Sequence, residues 1–75
     1  MRWKIRVRDK RGNIHTHRFC DAEAAFNHYV MYAQDVDTGY YEWVEMWKRQ
    51  KYLVATGEPG EEVWTIVQWY PNETS

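Results

Sequence analysis

Covalent cross-links are what this chain has least of. Cys20 is the single cysteine in 75 residues, so no internal disulfide can staple the fold. Stability must come from burial, alone or with self-association, and a domain this small is marginal because much of its chain stays at the surface. The four glycines fall in no phosphate-cradling motif, and the only serine is the terminal Ser75, which excludes a serine nucleophile from the interior. No CxxC or HExxH accompanies the histidines, and no internal repeat or low-complexity stretch occurs. A continuous apolar run long enough to span a membrane is missing too. No secretory signal is visible, since the basic N-terminus leads into an alternating segment; a reducing, cytoplasmic location with no membrane partner is expected. Asn72-Glu73-Thr74 matches a glycosylation acceptor, a match that such a location makes a coincidence. An excess of one charge is also absent. Ten Lys/Arg against eleven Asp/Glu give a net −1, which argues against a bulk polyanion binder.

What is present is unevenly placed. Residues 1–18 hold seven Lys/Arg against one acid, and residues 19–75 hold three against ten, so a basic segment is joined to an acidic remainder. Five Trp, six Tyr and two Phe are many for this length. Each large aromatic can bury roughly 150–250 Å², and one helix packed on one sheet cannot hide them all, so some belong to a surface or an interface.

The opening residues alternate: Trp3, Ile5 and Val7 on one parity, and Arg2, Lys4, Arg6 and Arg8 on the other. Period two is that of a strand, here with one apolar and one cationic face, over about residues 2–8. Residues 9–13 are a polar turn in which Gly12 and Asn13 can take positive φ, and 14–19 return as the second strand of a hairpin. Asp21 is suited to cap a helix, with Glu23 in its first turn where the helix dipole favours an acid. From Ala22 the spacing turns helical: Ala22, Phe26, Tyr29, Val30, Ala33 and Val36 share a side, and Gly39 is placed to end the helix in the left-handed conformation. Residues 40–48 read two ways. As a strand, Val44 and Met46 oppose Tyr41, Trp43, Glu45 and Trp47; as a helix, Glu42, Glu45, Lys48 and Arg49 form a polar stripe. Aromatic and β-branched content favours the strand. Residues 50–62 have no clean period, hold the apolar patch Tyr52-Leu53-Val54 and end in turn chemistry, Gly57-Glu58-Pro59-Gly60. That patch reads equally as part of a long contact loop or as a short extra strand. Residues 63–70 are a strand, closed by Pro71, and 72–75 a short polar tail.

The sum is one α+β domain over residues 1–75: β-β-α-β-β, a four-stranded antiparallel sheet with one helix packed on one face. It would bury Ile5, Val7, Phe26, Val30, Val44, Met46 and one parity of the last strand. The opposite face then has no cover from this chain. It would display Arg2, Lys4, Arg6 and Arg8 beside Tyr41, Trp43 and Trp47, with Tyr52 and Leu53 as an accessory contact. Trp, Tyr and Arg are the residues that dominate protein interfaces, and Arg outnumbers Lys six to four. Cations beside exposed rings also suit single-stranded RNA or DNA. Two blander arrangements compete: cross-strand pairing of the cations with Glu42, Glu45, Glu61 or Glu62, and burial of the rings in a homodimer packed sheet to sheet.

Chemistry-bearing clusters are sparse. His15 and His17 share one face of the second strand at a spacing that can chelate a metal, with Cys20 and His28 as further ligands, but a solvated pair beside a basic strand explains them as well. Cys20 before a helix could be a lowered-pKa thiol with His17 and Asp21 nearby, whereas small buried cysteines are far commoner. The expectation is therefore a non-enzymatic protein without metal or cofactor. The overall look is similar to the short single-domain proteins common in phage genomes, many of which bind and disable a host factor; the likeness is one of size and composition, not of motif. It implies an inhibitor that occupies a host protein's surface. A single-stranded nucleic-acid binder is the alternative.

Overall fold

The computed structural model describes residues 2–53 and 59–71. Its elements are β1 (Trp3–Asp9), β2 (Ile14–Phe19), α1 (Ala22–Asp37), β3 (Tyr41–Leu53) and β4 (Pro59–Tyr70), in an antiparallel sheet of order β2-β1-β3-β4. The β-β-α-β-β domain expected from the sequence is the one observed. The tail 72–75, with its glycosylation-like triplet, lies outside the described residues.

The first hairpin closes because Asp9 organises its own turn. Its Oδ1 accepts from the backbone N–H of Arg11 and of Asn13, both at 2.9 Å, while Gly12 supplies the positive φ of 91°. An Asp carboxylate that bonds the backbone two residues on is the local signal that ends β1.

At the other end, Asp21 has extended backbone angles, and its Oδ2 accepts from Ala24 N at 3.3 Å, so it caps α1 as expected. The helix ends in a Schellman motif. Gly39 N donates to Val36 O and Tyr40 N to Asp35 O, with Gly39 at φ 92°. Nothing lies within 4 Å of a Cβ added there, so the cost of a side chain is conformational alone. Gly39→Ala is expected to lower stability by about 1–2 kcal/mol, the penalty of an L-residue in the left-handed region, read as a shift of the urea midpoint. A change below a few tenths would mean that the cap does not hold in solution.

Residues 40–48 are strand, not helix. Pairing with β1 explains why: Ile5 lies opposite Met46 and Val7 opposite Val44, so two alternating strands present four apolar side chains to the same side. Of the two readings left open within 50–62, contact loop or short strand, the described residues are strand. β3 runs through Tyr52 and Leu53, and β4 begins at Pro59, leaving 54–58, Val54 among them, outside the described residues.

The core consists of Ile5, Val7, Ala25, Tyr29, Val44 and Met46, flanked by Trp3, Phe19, Tyr32, Ala33, Val36, Tyr41 and Tyr70. Two expectations need correction. Phe26 and Val30 are 47% and 37% exposed, and Ala25 and Tyr32 take the inward places instead. The helix is rolled by a fraction of a turn because its β2 flank is held by ring contacts: His28 on Phe19 at 4.6 Å between centroids and Tyr32 on His17 at 5.8 Å. The last strand does not bury one parity either. Its register slips at Val67, where Gln68 faces Met46 but Ile66 faces Trp47, so the alternation changes sides midway and Tyr70 is its contribution to the core. No helix among the described residues is long and apolar enough to cross a membrane.

Candidate functional site

The helix lies over the side of the sheet that carries Ile5, Val7, Val44 and Met46, and the register fixes what the other side shows. Cross-strand partners in an antiparallel pair share a face. From β2 to β4, one row is Thr16, Arg6, Glu45, Trp69 and the next is Arg18, Lys4, Trp47, Ile66. Arg8 lies opposite Trp43, and Arg49 opposite Trp64. Four tryptophans therefore share the open face with a file of cations.

These groups are engaged with one another. Lys4 Nζ sits 4.4 Å from the Trp64 ring centroid and 5.3 Å from that of Trp47. Arg6 lies 5.9 Å from the Trp43 ring and Arg49 5.7 Å from Trp64. Each ring presents its negative face to a cation, an attraction of about 0.5–1 kcal/mol at exposed sites. Partial burial, reinforced by the nearby charges of Arg6 and Arg18, pushes the Lys4 ammonium below its usual value, with Glu45 opposing. Carboxylates complete the ladder. Glu45 Oε1 accepts from Trp47 Nε1 at 3.1 Å and lies 3.5 Å from Arg6; Arg49 Nε meets Glu62 at 3.0 Å. Arg8 Nε is 3.2 Å from Glu42 Oε2 without the alignment of a hydrogen bond, so that contact is one of charge. Cross-strand pairing of the cations with Glu42, Glu45 and Glu62 thus exists, and it does not use them all. Arg2, Lys4 and Arg18 meet no carboxylate at ion-pair distance among the described residues.

Lys4, Arg6, Arg8, Trp43 and Trp47 are brought together on this face. Arg2 stands at its end, its carbonyl accepting from Arg49 N at 2.7 Å. Tyr41 is not on it. The register shifts between Arg8 and Asp9, setting Tyr41 opposite Asp9, and its ring packs edge-on to Tyr32 of α1, 5.4 Å between centroids. A bulge of one residue sends a side chain to the other face. Tyr52 and Leu53 belong to β3, and their side chains lie outside the described residues. Trp64, Trp69 and Arg49 were not foreseen. Trp64 and Trp69 differ in parity, and only the slip at Val67 puts both on the open face. Two shallow clefts border the face. One of about 400 Å³ is lined by Glu42, Trp43, Glu45, Trp69, Tyr70 and Pro71, and the other, of about 470 Å³, is mainly cationic, with Arg2, Lys48, Arg49 and Lys51 beside Glu62.

The histidines lie on the helix side. His15 Nε2 is 3.0 Å from Asp9 Oδ2, His17 Nε2 is 3.1 Å from the Tyr32 hydroxyl, and His28 Nδ1 donates to Ala24 O at 2.8 Å. Among the described residues no group of three or more His, Cys, Asp or Glu is placed to hold a metal. Cys20 is exposed rather than buried, while His17 is engaged by Tyr32 and Asp21 by the helix cap.

Titration follows from the same contacts. The His15 hydrogen bond, then the backbone N–H of Asn13, hold the Asp9 carboxyl below its usual value. Burial raises Tyr29 and Tyr32, and the hydrogen bond to Asp37 raises Tyr70. A phenol whose pKa is raised on folding contributes stability that is complete below the unfolded value of about 10 and is lost as pH rises through the folded one. A carboxyl lowered on folding contributes above its unfolded value of about 3.9, and that is lost as pH falls through the folded one. From these groups the urea midpoint is expected to fall above pH ~10 and below pH ~4. A midpoint that rises with alkali would contradict the tyrosine assignments.

No family model matches this chain, and neither a curated protein nor a solved structure is significantly similar to it.

Proposed function

We propose that this chain is a non-enzymatic protein-binding module that acts by covering a partner's surface with its open sheet face. The observation that carries the reading is the placing of Trp43, Trp47, Trp64 and Trp69 on one uncovered face, in a lattice of cations and carboxylates from the same chain. Tryptophan and arginine are the commonest energetic anchors of interfaces, since they combine large area with directed polar contacts. Side chains already held by ring–cation contacts lose less freedom on docking, which lowers the cost of association. Arg2 and Arg18 remain for carboxylates of the partner, which guanidinium groups can fork. The partner is therefore a protein with an apolar patch edged by acids, and a chain bound there would inhibit whatever that surface does.

The same basic corner, next to Trp47 and Trp64, favours single-stranded nucleic acid as the second reading. Against it stand the ring faces of Trp43, Trp47 and Trp64, which the chain's own Lys4, Arg6 and Arg49 occupy, leaving less room for a base to stack. The test is affinity capture with the full chain as bait, with and without nuclease, beside a Trp43→Ala/Trp47→Ala bait. A protein held by the native bait, resistant to nuclease and lost with the double variant is the expected result. Capture that vanishes with nuclease, together with affinity falling steeply with salt, would replace this reading by the nucleic-acid one.

A further inference from the structure

Strand β4 is an edge of the sheet, and it is left bare in three directions. Among the described residues no strand pairs with its outer side, α1 crosses β1 and β3 and meets β4 at Tyr70, and the open face lies beneath. Residues 63–70 contain no charged side chain. Native edges of this kind are normally blunted by charge, proline or shortness, because a row of free N–H and C=O groups is a template for another strand. The opposite edge follows that rule: β2 has six residues and carries His15, His17 and Arg18. β4 has twelve, with register irregularities near 60–61 and at Val67 as its protection, and these leave 62–66 regular, about the length of an average strand.

The apolar surface is concentrated on the same side. Helix positions 28 and 32 touch β2, whereas Asp37 touches Tyr70 of β4. Phe26 and Val30 are spaced from Asp37 so as to share its flank, the one turned away from β2. Of the eight large hydrophobic residues that are exposed among the described ones, Phe26, Val30, Val63, Val67 and Trp69 lie on β4 or on that helix flank.

We infer that β4 pairs antiparallel with β4 of a second copy of this chain, through residues 62–66, to make a two-fold dimer with one continuous eight-stranded sheet. A two-fold axis makes any antiparallel strand complementary to itself, so both copies satisfy their edge with one contact. Charge selects this edge over the other. Two β2 edges would bring Arg18 of each copy beside the histidines of the other, whereas two β4 edges meet through the uncharged residues 63–66, with Glu62 at the two ends of the pairing. The pairing covers Val63 and Val67, brings the Phe26/Val30 flanks towards each other, and leaves the tryptophan face open in both copies.

Sedimentation equilibrium on the full chain, up to about 1 mM, is expected to give twice the mass of one chain. Val63→Lys combined with Val67→Lys is expected to return the single-chain mass with its circular dichroism unchanged, and Ile14→Lys, on the far edge, to leave the dimer intact. A single-chain mass throughout overturns the inference. So does a dimer that survives in the folded double variant, or one that only Trp47→Ala dissolves, which would place the contact on the open face. If the double variant does not fold, hydrogen exchange of the native chain decides. Amides within 62–66 that do not donate to β3 should exchange roughly tenfold more slowly as concentration rises, and rates independent of concentration refute the pairing.

Discussion

Ile5→Ala is expected to remove about 2–5 kcal/mol of stability, the cost of deleting a fully enclosed aliphatic side chain and leaving part of its volume empty. Ile5 has no exposed surface and lies between His17 on β2 and Met46 on β3, beneath α1. A domain of this length has a total of about 4–11 kcal/mol to lose, with no disulfide to hold it. Much of the population should therefore unfold at moderate urea, and calorimetry should show the melting temperature lowered by about 10 °C or more. The companion measurement is Phe26→Ala. Because Phe26 is on the exposed flank of the helix, its removal should cost about 1 kcal/mol or less in the monomer. Equal losses for the two variants would restore the helix orientation expected from sequence spacing and discard the observed one.

Trp43→Ala and Trp47→Ala, made singly, are expected to weaken partner binding by roughly 30-fold or more each, the scale of an interface hot spot of about 2 kcal/mol. Trp47 touches Lys4 and donates to Glu45, so its removal also frees two charged groups to reorganise. Trp43 sits in the cleft with Trp69 and Tyr70, where a partner side chain could be enclosed. Lys10→Ala, in the exposed hairpin turn, should leave affinity within about threefold, since isolated surface charges act mainly on association rates. The titration is read by calorimetry against the captured partner, with circular dichroism confirming the fold of each variant. Affinity unmoved by either tryptophan would remove the open face from the proposal. A loss with Lys10→Ala as large as with Trp47→Ala would mean that charge, not ring area, drives binding.

Much of this was legible because it is local. Alternation in residues 3–8, the turn over 9–13 with Gly12 at positive φ, the Asp21 cap and the Gly39 stop each act within a few residues and form as read, although Asn13 keeps a negative φ. Residues 40–48 were divided between two periods. What resolves them is the strand they pair with: Ile5 and Val7 meet Met46 and Val44 across the sheet. The roll of the helix was hidden for a similar reason. Phe26 and Val30 are as apolar as Ala25 and Tyr32 or more so, and the choice is made by His17 and Phe19 on β2, which draw Tyr32 and His28 to their side.

The candidate site divides along the same line. Its cationic file and its first two tryptophans could be assigned to one face from period two alone, because alternation is a property of each strand by itself. Tyr41 could not, nor could the joining of Trp64 to Trp69, because a bulge resets which face follows and exists only where two strands are in register. The chain alone determined the first hairpin, the capped helix and the last strand, with their order, since these follow from neighbouring residues and their period. Tertiary structure decided which aromatics reach the open face and which edge is left bare. Those depend on register and packing between segments far apart in the chain, where a one-residue slip exchanges inside for outside.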